Sequence, residues 1–320
     1  MAQFAAMALD LPLTDTAAML RDSLQRYLAD IPRPGWQGLA QDLGLMGLGI
    51  PEDSGGTGGG AIERAVVIEA LGPAMAGADW LSHHLAATAL ARLAPAHPLL
   101  PSLAEGSARI ALVLDPALVA GGAKANWLLV LDGSAARLVA AGQAERRARA
   151  MFDGTESADL TIPDAVGEIL GGDAAGVTAW ARQAWLTGRC AECAGLMARM
   201  LGDTAQYLNQ REQFGQPIAR FQVLRHRMAD MHMALLKAGA LTERAVLAEG
   251  TPSWEHAVSA AVVETTDAAR IVGEGAVQLH GGMGVTEELE LGGLFKRALT
   301  IISTFGPRTA HLARHAETLA

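Results

Sequence analysis

The residues best suited to chemistry lie in one short stretch of the chain, from Arg211 to Gln222. Arg211 offers a planar guanidinium that is always charged, Phe214 offers an aromatic ring, and Gln222 offers an amide. This set suits a bound phosphate and a flat ring system, because a guanidinium pairs with phosphate oxygens in a bidentate way. The spacing alone leaves a second interpretation open, in which Arg211 only caps the carbonyl groups of a preceding helix.

A second stretch, Gln278 to Gly284, combines an amide with a pair of glycines, Gly281 and Gly282. Glycine has no Cβ, so a glycine turn lets backbone N–H groups approach an acceptor closely. The same pair can also mark a simple break between two helices. The two interpretations are compatible with each other.

Long helical patterns surround both stretches and must position them. Gly215 and Pro217 are turn residues between the first two of these patterns, which predicts a corner between two long antiparallel helices. Four long helices joined by short connections predict a C-terminal bundle. Apolar residues recur at helical spacing over the four long segments and a shorter final one, namely 176–209, 221–248, 253–279, 286–302 and a last segment from about 309.

The chain before these helices divides into a helical part and a part with strands. Thr14 or Asp15 stands where the cap of a first helix is expected. Helical patterns cover 14–29, 36–45, 61–71 and 79–93, and short apolar runs predict strands at 110–114, 127–131 and 136–140. The predicted fold class is mainly α with a small β domain. We expect an N-terminal helical domain over 1–106, a middle β-domain over 107–170 and the helical bundle over 171–320.

Composition argues against several classes of function. A formal charge of −9 argues against a nucleic-acid partner, which requires a basic face. Half of the residues are hydrophobic, but no run of about twenty lacks charges, so no membrane span is predicted. The N-terminus lacks the basic start and apolar core of a secretory signal, and only two cysteines are present. These features favour a cytoplasmic location.

The two cysteines, Cys190 and Cys193, have CxxC spacing. No second pair is present to complete a zinc site, and the helical pattern places both residues in mid-helix. We interpret them as buried small apolar residues. The histidines have no acid or cysteine partner at metal spacing, so no metal site is predicted.

Two segments together carry a resemblance to a known family. Arg211–Met231, with the letters REQFGQPIARFQVLRHRMADM, is similar to the flavin-contacting corner of acyl-CoA dehydrogenases, and Gln278–Gly284 is similar to the other half of that family's cofactor motif. The resemblance implies FAD bound across a subunit interface. The middle domain of one subunit holds the isoalloxazine ring in this family. Its neighbour holds the pyrophosphate and adenine side through positions that correspond here to Arg211, Phe214, Gln222, Gln278 and Gly282.

The middle β-domain departs from the family's pattern. The segment between the two helical parts is much shorter than the middle domain of the family, so we expect a shortened middle β-domain. Leu114-Asp115-Pro116 stands where a Thr-Glu-Pro-type flavin-contacting segment is expected, and no Trp-x-Thr-Asn segment is found after it. The resemblance therefore extends over the nucleotide half of the cofactor site but not over the half that holds the flavin ring.

The catalytic carboxylate is the second departure. In this family a Glu removes the α-proton of the acyl-CoA while the β-hydride goes to the flavin. The two positions used for this Glu hold Phe305 and Trp185 here, and neither side chain can abstract a proton. Glu192, about two turns beyond Trp185 on the same helix, is the remaining candidate. A lone acid on an apolar helix is more often a hydrogen-bonded or interface residue.

These features predict an FAD-dependent acyl-CoA dehydrogenase that works as one subunit of a hetero-oligomer. A longer acyl-CoA dehydrogenase subunit would supply the flavin-ring contacts and the catalytic Glu. The tail with Phe305-Gly306 resembles dehydrogenases that act on steroid side-chain or other bulky CoA thioesters. The implied partners are an acyl-CoA thioester and an electron-transfer flavoprotein or similar acceptor. Two alternatives stay open: a homo-oligomeric dehydrogenase with Glu192 as base, and a non-catalytic scaffold or binding subunit of the same fold.

Overall fold

The computed structural model describes residues 8–285 and 289–317 of the chain. These residues form two compact units, one of residues 13–68 and 74–188 and the other of residues 8–12, 69–73 and 189–317. The predicted fold class, mainly helical with a small β region, is confirmed. Within these residues no helix combines the length and apolar character needed to cross a membrane.

Four α-helices precede the strands: α1 Asp15–Asp30, α2 Ala61–Leu71, α3 Gly77–Leu93 and α4 Leu100–Ala104. The predicted cap of α1 is present, because the Thr14 hydroxyl accepts a hydrogen bond of 3.1 Å from the Ala17 N–H. The helix predicted over 36–45 is not a regular α-helix. It contains a π-helical turn over Gly38–Asp42 and ends at Gly44, which has a φ of 63° that only glycine adopts readily.

Seven strands lie between residues 110 and 170 and form two sheets. The first has the order β1-β3-β4-β7, with β1 parallel to β3 and the other pairs antiparallel. The second is antiparallel with the order β2-β6-β5. The strands are β1 Ile110–Val113, β2 Val119–Ala120, β3 Trp127–Leu131, β4 Ala136–Ala140, β5 Glu145–Ala150, β6 Glu156–Thr161 and β7 Glu168–Leu170.

A buried histidine joins helix α3 to the first sheet. The N–H of Ile110 can only donate, so its 3.3 Å hydrogen bond makes Nδ1 of His83 the acceptor. Nε2 therefore carries the proton and donates to the Leu103 carbonyl at 3.2 Å. Both ring nitrogens are satisfied in the neutral state. Burial lowers the pKa of His83 to about 4, against a smaller raising effect of the Leu103 carbonyl.

The stability of this chain is expected to fall as the pH drops from about 6.5 towards 4. In that window the unfolded state binds a proton at His83 and the folded state does not, so acid favours unfolding. For this histidine alone the loss between pH 7 and pH 5 is about 2 kcal/mol. Urea unfolding of the wild type and of His83→Gln across this range measures it. The variant is expected to show a shallower pH dependence, and an unchanged slope would contradict the assignment.

The remainder of the described chain is helical apart from one small hairpin. Helix α7 packs against α6, α8 and α9. The Thr286 start predicted for the fourth bundle helix lies outside the described residues, and the observed α8 begins at Leu291. The elements are α5 Ala174–Gln210, β8 Glu212–Gln213, β9 Gln216–Pro217, α6 Gln222–Leu247, α7 Trp254–His280, α8 Leu291–Ser303 and α9 Arg308–Ala316.

Candidate functional site

The corner between α5 and α6 is built on a two-residue hairpin that the sequence did not predict. Helix α5 ends at Gln210, and Gln213 of β8 pairs with Gln216 of β9. The two loop residues, Phe214 and Gly215, both have positive φ angles, of 54° and 75°. Positive φ at both central positions is the mark of a type I′ turn, which tightly reverses the chain. Arg211, expected as the last residue of the helix, is the first residue after it.

Phe214 is held in a strained conformation that leaves its ring in solvent. A left-handed backbone costs a non-glycine residue roughly 1–3 kcal/mol. The ring is 90 % exposed and meets the ring of Phe221 edge-on, with 5.9 Å between the ring centroids. Burial of this ring therefore does not offset the strain. Strain of this kind at an exposed aromatic is typical of a residue kept for binding.

The second stretch forms the end of helix α7 and the turn that follows it. Gly281 has a φ of 61°, and its N–H bonds to the Gln278 carbonyl, which ends the helix. A Cβ placed on Gly281 or on Gly282 would meet no atom of the described residues within 4 Å. The backbone of this turn is therefore open on the outside. The side chain of Gln278 is also exposed.

A stack of two aromatic rings holds the end of α5, before Arg211, against the end of α7, before Gly281. Tyr207 lies one turn before Arg211, whose N–H bonds to the Tyr207 carbonyl at 2.8 Å. The Tyr207 ring stacks on the ring of His280, with centroids 4.4 Å apart and planes 25° from parallel. His280 stands between Gln278 and Gly282 in the sequence. The end of α5 and the end of α7 are thus fixed against each other. Sequence reasoning missed this contact, because the two rings belong to different helices and no local pattern links them.

Two family profiles match the chain. The profile described as "Acyl-CoA dehydrogenase, C-terminal domain" matches residues 186–319, and the profile "Acyl-CoA dehydrogenase, N-terminal domain" matches residues 14–107. The chain is 33 % identical over 279 residues to acyl-CoA dehydrogenase IpdE2 of Mycolicibacterium smegmatis, which spans 87 % of this chain and 86 % of that protein. The chain belongs to the acyl-CoA dehydrogenase family.

Other relatives agree with this assignment. The acyl-CoA dehydrogenase IpdE2 of Mycobacterium tuberculosis is also 33 % identical over 279 residues, which cover 82 % of this chain and 79 % of that one. A chain in the crystal structure of the ChsE4-ChsE5 complex from Mycobacterium tuberculosis is 26 % identical. It superposes with a TM-score of 0.84 over 97 % of this chain and 99 % of that chain.

The nucleotide half of FAD fits the residues at this end of the acyl-CoA dehydrogenase helices. FAD is the cofactor that membership of the family implies. Its diphosphate needs a cation and open N–H groups, and its flat rings need an aromatic face or edge. The five predicted residues, Arg211, Phe214, Gln222, Gln278 and Gly282, are all exposed. They are therefore available to a ligand outside the packed helices.

The two residues predicted at the family's base positions, Phe305 and Trp185, both have aromatic side chains. Phe305 is 5 % exposed and lies in the turn between α8 and α9. Its carbonyl accepts a hydrogen bond of 2.9 Å from Nε2 of His311, which fixes the turn. Trp185 is half-buried on α5. The described structure places no carboxylate at either position.

The geometry speaks against the base role considered for Glu192. The side chain is fully buried, and its Oε1 accepts hydrogen bonds from Nε and Nη2 of Arg297 at 2.9 and 2.6 Å. Its Oε2 pairs with Arg189. A base needs a free oxygen that a substrate proton can reach, whereas both oxygens here are held by buried guanidinium groups. Glu192 is the centre of a structural ion cluster. The sequence did not indicate this cluster, because Arg297 lies far from Glu192 along the chain.

The two cysteines lie in the middle of helix α5. Cys190 and Cys193 are buried and unpaired with each other. Burial raises the pKa of Cys190 to about 12, so its thiol stays protonated. Across residues 8–285 and 289–317, no group of three or more His, Cys, Asp or Glu side chains is arranged to hold a metal ion.

Proposed function

We propose that this chain is the nucleotide-holding subunit of a hetero-oligomeric, FAD-dependent acyl-CoA dehydrogenase. The observation that carries the proposal is the exposure of the five predicted cofactor residues at one end of the helices, together with the aromatic residues at both usual base positions. Such a chain can bind one end of a cofactor but has no identified group for the proton transfer. A longer acyl-CoA dehydrogenase subunit would complete the site.

Each residue of the half-site has a distinct part in the proposal. Arg211 would neutralise the diphosphate through its guanidinium, and the N–H group of Gly282 would approach the same acceptors. Phe214 would provide a ring for the nucleotide to pack against, and the amides of Gln222 and Gln278 would hold it by hydrogen bonds. FAD, when bound, accepts the β-hydride of the acyl-CoA thioester. The proton from the α-carbon would go to a carboxylate of the partner subunit.

The hetero-oligomer is favoured over the two alternatives by specific observations. A homo-oligomer that uses Glu192 as base requires a carboxylate that its two buried arginines already hold. A non-catalytic scaffold would gain nothing from the strained and exposed Phe214. The solved relative at 26 % identity comes from a complex of two named components, ChsE4 and ChsE5. That pairing supports a second, different subunit for this chain as well.

The substrate proposed is an acyl-CoA thioester with a bulky, steroid-type acyl group. This proposal rests on the resemblance of the tail around Phe305. The electron acceptor would be an electron-transfer flavoprotein or a similar carrier. Turnover of steroid side-chain and straight-chain CoA thioesters by the assembled enzyme, with a ferrocenium or flavoprotein acceptor, tests the substrate class.

Expression with and without a partner tests the assembly. The chain alone is expected to purify without flavin. Co-expression with each acyl-CoA dehydrogenase encoded beside its gene is expected to yield one yellow complex that acyl-CoA bleaches. A yellow, acyl-CoA-reducible protein from the chain alone would overturn the proposal in favour of the homo-oligomer. A colourless complex with every such partner would favour the scaffold.

The turn residue Phe214 allows binding to be separated from stability. Asparagine tolerates a left-handed backbone far better than phenylalanine, so Phe214→Asn is expected to leave the chain as stable or slightly more stable. Loss of the ring is expected to weaken FAD binding by roughly tenfold, because stacking on an aromatic contributes about 1–3 kcal/mol. Thermal unfolding of the chain and FAD titration of the apo-complex measure the two effects. An unchanged FAD affinity would remove Phe214 from the site.

A further inference from the structure

A cleft beneath the corner lies beside the proposed nucleotide half-site but is lined by other residues. It has a volume of about 540 Å³ and lies between the last turns of α5, the turn at Pro217–Arg220 and the first turns of α6. Its wall is formed by Leu208, Leu224 and Met228. None of the five predicted cofactor residues lines it. All of its lining residues belong to the same compact unit.

Two arginines line this cleft, and none of the carboxylates in the described part of the chain does. Nε of Arg225 donates to the Ala219 carbonyl at 2.8 Å, which fixes this guanidinium against the turn. Arg220 is exposed and makes no hydrogen bond or ion pair with any of residues 8–285 and 289–317. Two cations in one cleft repel each other unless an anion lies between them. The charge of the cleft is therefore unbalanced within the described chain.

A second cleft of the chain has a different charge pattern. It lies in the unit of residues 13–68 and 74–188 and has a volume of about 650 Å³. Its lining includes three basic and three acidic side chains, namely Arg33, Arg109, Lys124, Asp79, Asp153 and Glu156. Opposite charges are balanced there, so that cleft has no preference for an anion. Of these two clefts, only the one at the corner is lined by an excess of cations.

We infer that the cleft lined by Arg220 and Arg225 is a binding site for an amphiphilic anion, that is, a phosphate or carboxylate group joined to an apolar body. The two guanidinium groups supply several N–H donors for the anion. The half-buried side chains of Leu224 and Met228 supply an apolar surface for the rest of the molecule. The small accessible part of Leu208, which is 3 % exposed, adds to it. The volume is sufficient for a small ligand.

The ligand would also affect the turn that presents the half-site. Arg225 is bound to the carbonyl of Ala219, and Gln222, the first residue of α6, lies between them in sequence. An anion that holds Arg225 would therefore hold the start of α6. This gives the site a route to influence the position of Gln222. The inference itself does not depend on FAD, because the cleft is complete within this chain.

Octyl phosphate, below its micelle-forming concentration, is a suitable probe of the full-length chain. Calorimetric titration is expected to show saturable binding with one ligand per chain. Octanol and inorganic phosphate, which each carry half of the recognised chemistry, are expected to bind at least tenfold more weakly. Octanoate distinguishes a carboxylate from a phosphate as the preferred head group. Equal binding of octanol would show that the arginines are not used and would overturn the inference.

Single variants assign the binding to the two arginines. Arg220→Gln and Arg225→Gln are each expected to weaken octyl phosphate binding by at least tenfold without lowering the melting temperature. Arg227→Gln is the matched control, because Arg227 is on the same helix and exposed but does not line the cleft. An equal loss of octyl phosphate binding in Arg227→Gln would show that the effect comes from the net charge of the chain, and it would refute the site. Arg211→Gln is expected to leave octyl phosphate binding unchanged, which separates this site from the proposed FAD site.

Discussion

Glu192→Gln is expected to destabilise the chain by about 3–5 kcal/mol. The substitution removes the carboxylate that pairs with the guanidinium groups of both Arg189 and Arg297, and all three side chains are almost completely buried. Breaking a buried ion pair by removing one partner leaves an uncompensated charge away from water, and the cost is of this order. Chemical unfolding of the purified chain measures the loss. In the assembled enzyme, turnover per folded complex is expected to persist.

Glu290→Gln is the matched control for this prediction. Glu290 pairs with Arg199 at 3.1 Å, but both side chains are about half exposed, at 52 % and 44 %. Ion pairs screened by water contribute little, so the expected loss is below about 1 kcal/mol. A Glu192→Gln chain of normal stability whose complex has lost all turnover would instead support Glu192 as the base.

Arg211→Gln is expected to raise the dissociation constant of FAD in the assembled complex by about 10- to 100-fold. Hydrogen bonds to a charged partner contribute roughly 1.5–3 kcal/mol, and every 1.4 kcal/mol is a factor of ten in affinity. Arg211 is exposed and follows the end of α5, so its loss leaves no buried group unpaired. The melting temperature of the chain is therefore expected to stay within a degree or two of the wild type.

Arg199→Gln, an exposed arginine on the same helix, is the control for the change of charge. It pairs with Asp203 and Glu290 and lies outside the proposed half-site. The control is expected to retain flavin. If the Arg211→Gln complex retained its full flavin content as well, the nucleotide half-site would be in the wrong place, and the scaffold interpretation would remain.

Much of the helical architecture could be predicted because its signals are local. The strands Trp127–Leu131 and Ala136–Ala140 and the helix Ala61–Leu71 have the predicted bounds. Each is an apolar run closed by turn residues, so the pattern alone determines it. Strand β5 was missed because its letters, ERRARA, have almost no apolar side chain and the strand is largely exposed. A polar strand of this kind is recognised only once its partner strand is known.

The site was predicted as a set of residues, but not as an arrangement. The motif named Arg211, Phe214 and Gln222, yet nothing local indicated a hairpin with phenylalanine at a position that favours asparagine or glycine. The role of Glu192 depended on Arg297, which comes close only after the helices pack. Long-range pairs of this kind are set by tertiary structure, and periodicity in a single sequence contains no record of them.

The stack of Tyr207 on His280 has a consequence for the family's variation. One ring anchors the helix that leads to the first motif, and the other anchors the helix that leads to the second. The residues at these two positions are therefore expected to change together in evolution, so that homologues that lose one ring also replace the other. Substitutions at these two positions should be strongly non-additive. A comparison of many homologues would then show as coevolution what this chain shows as a single contact.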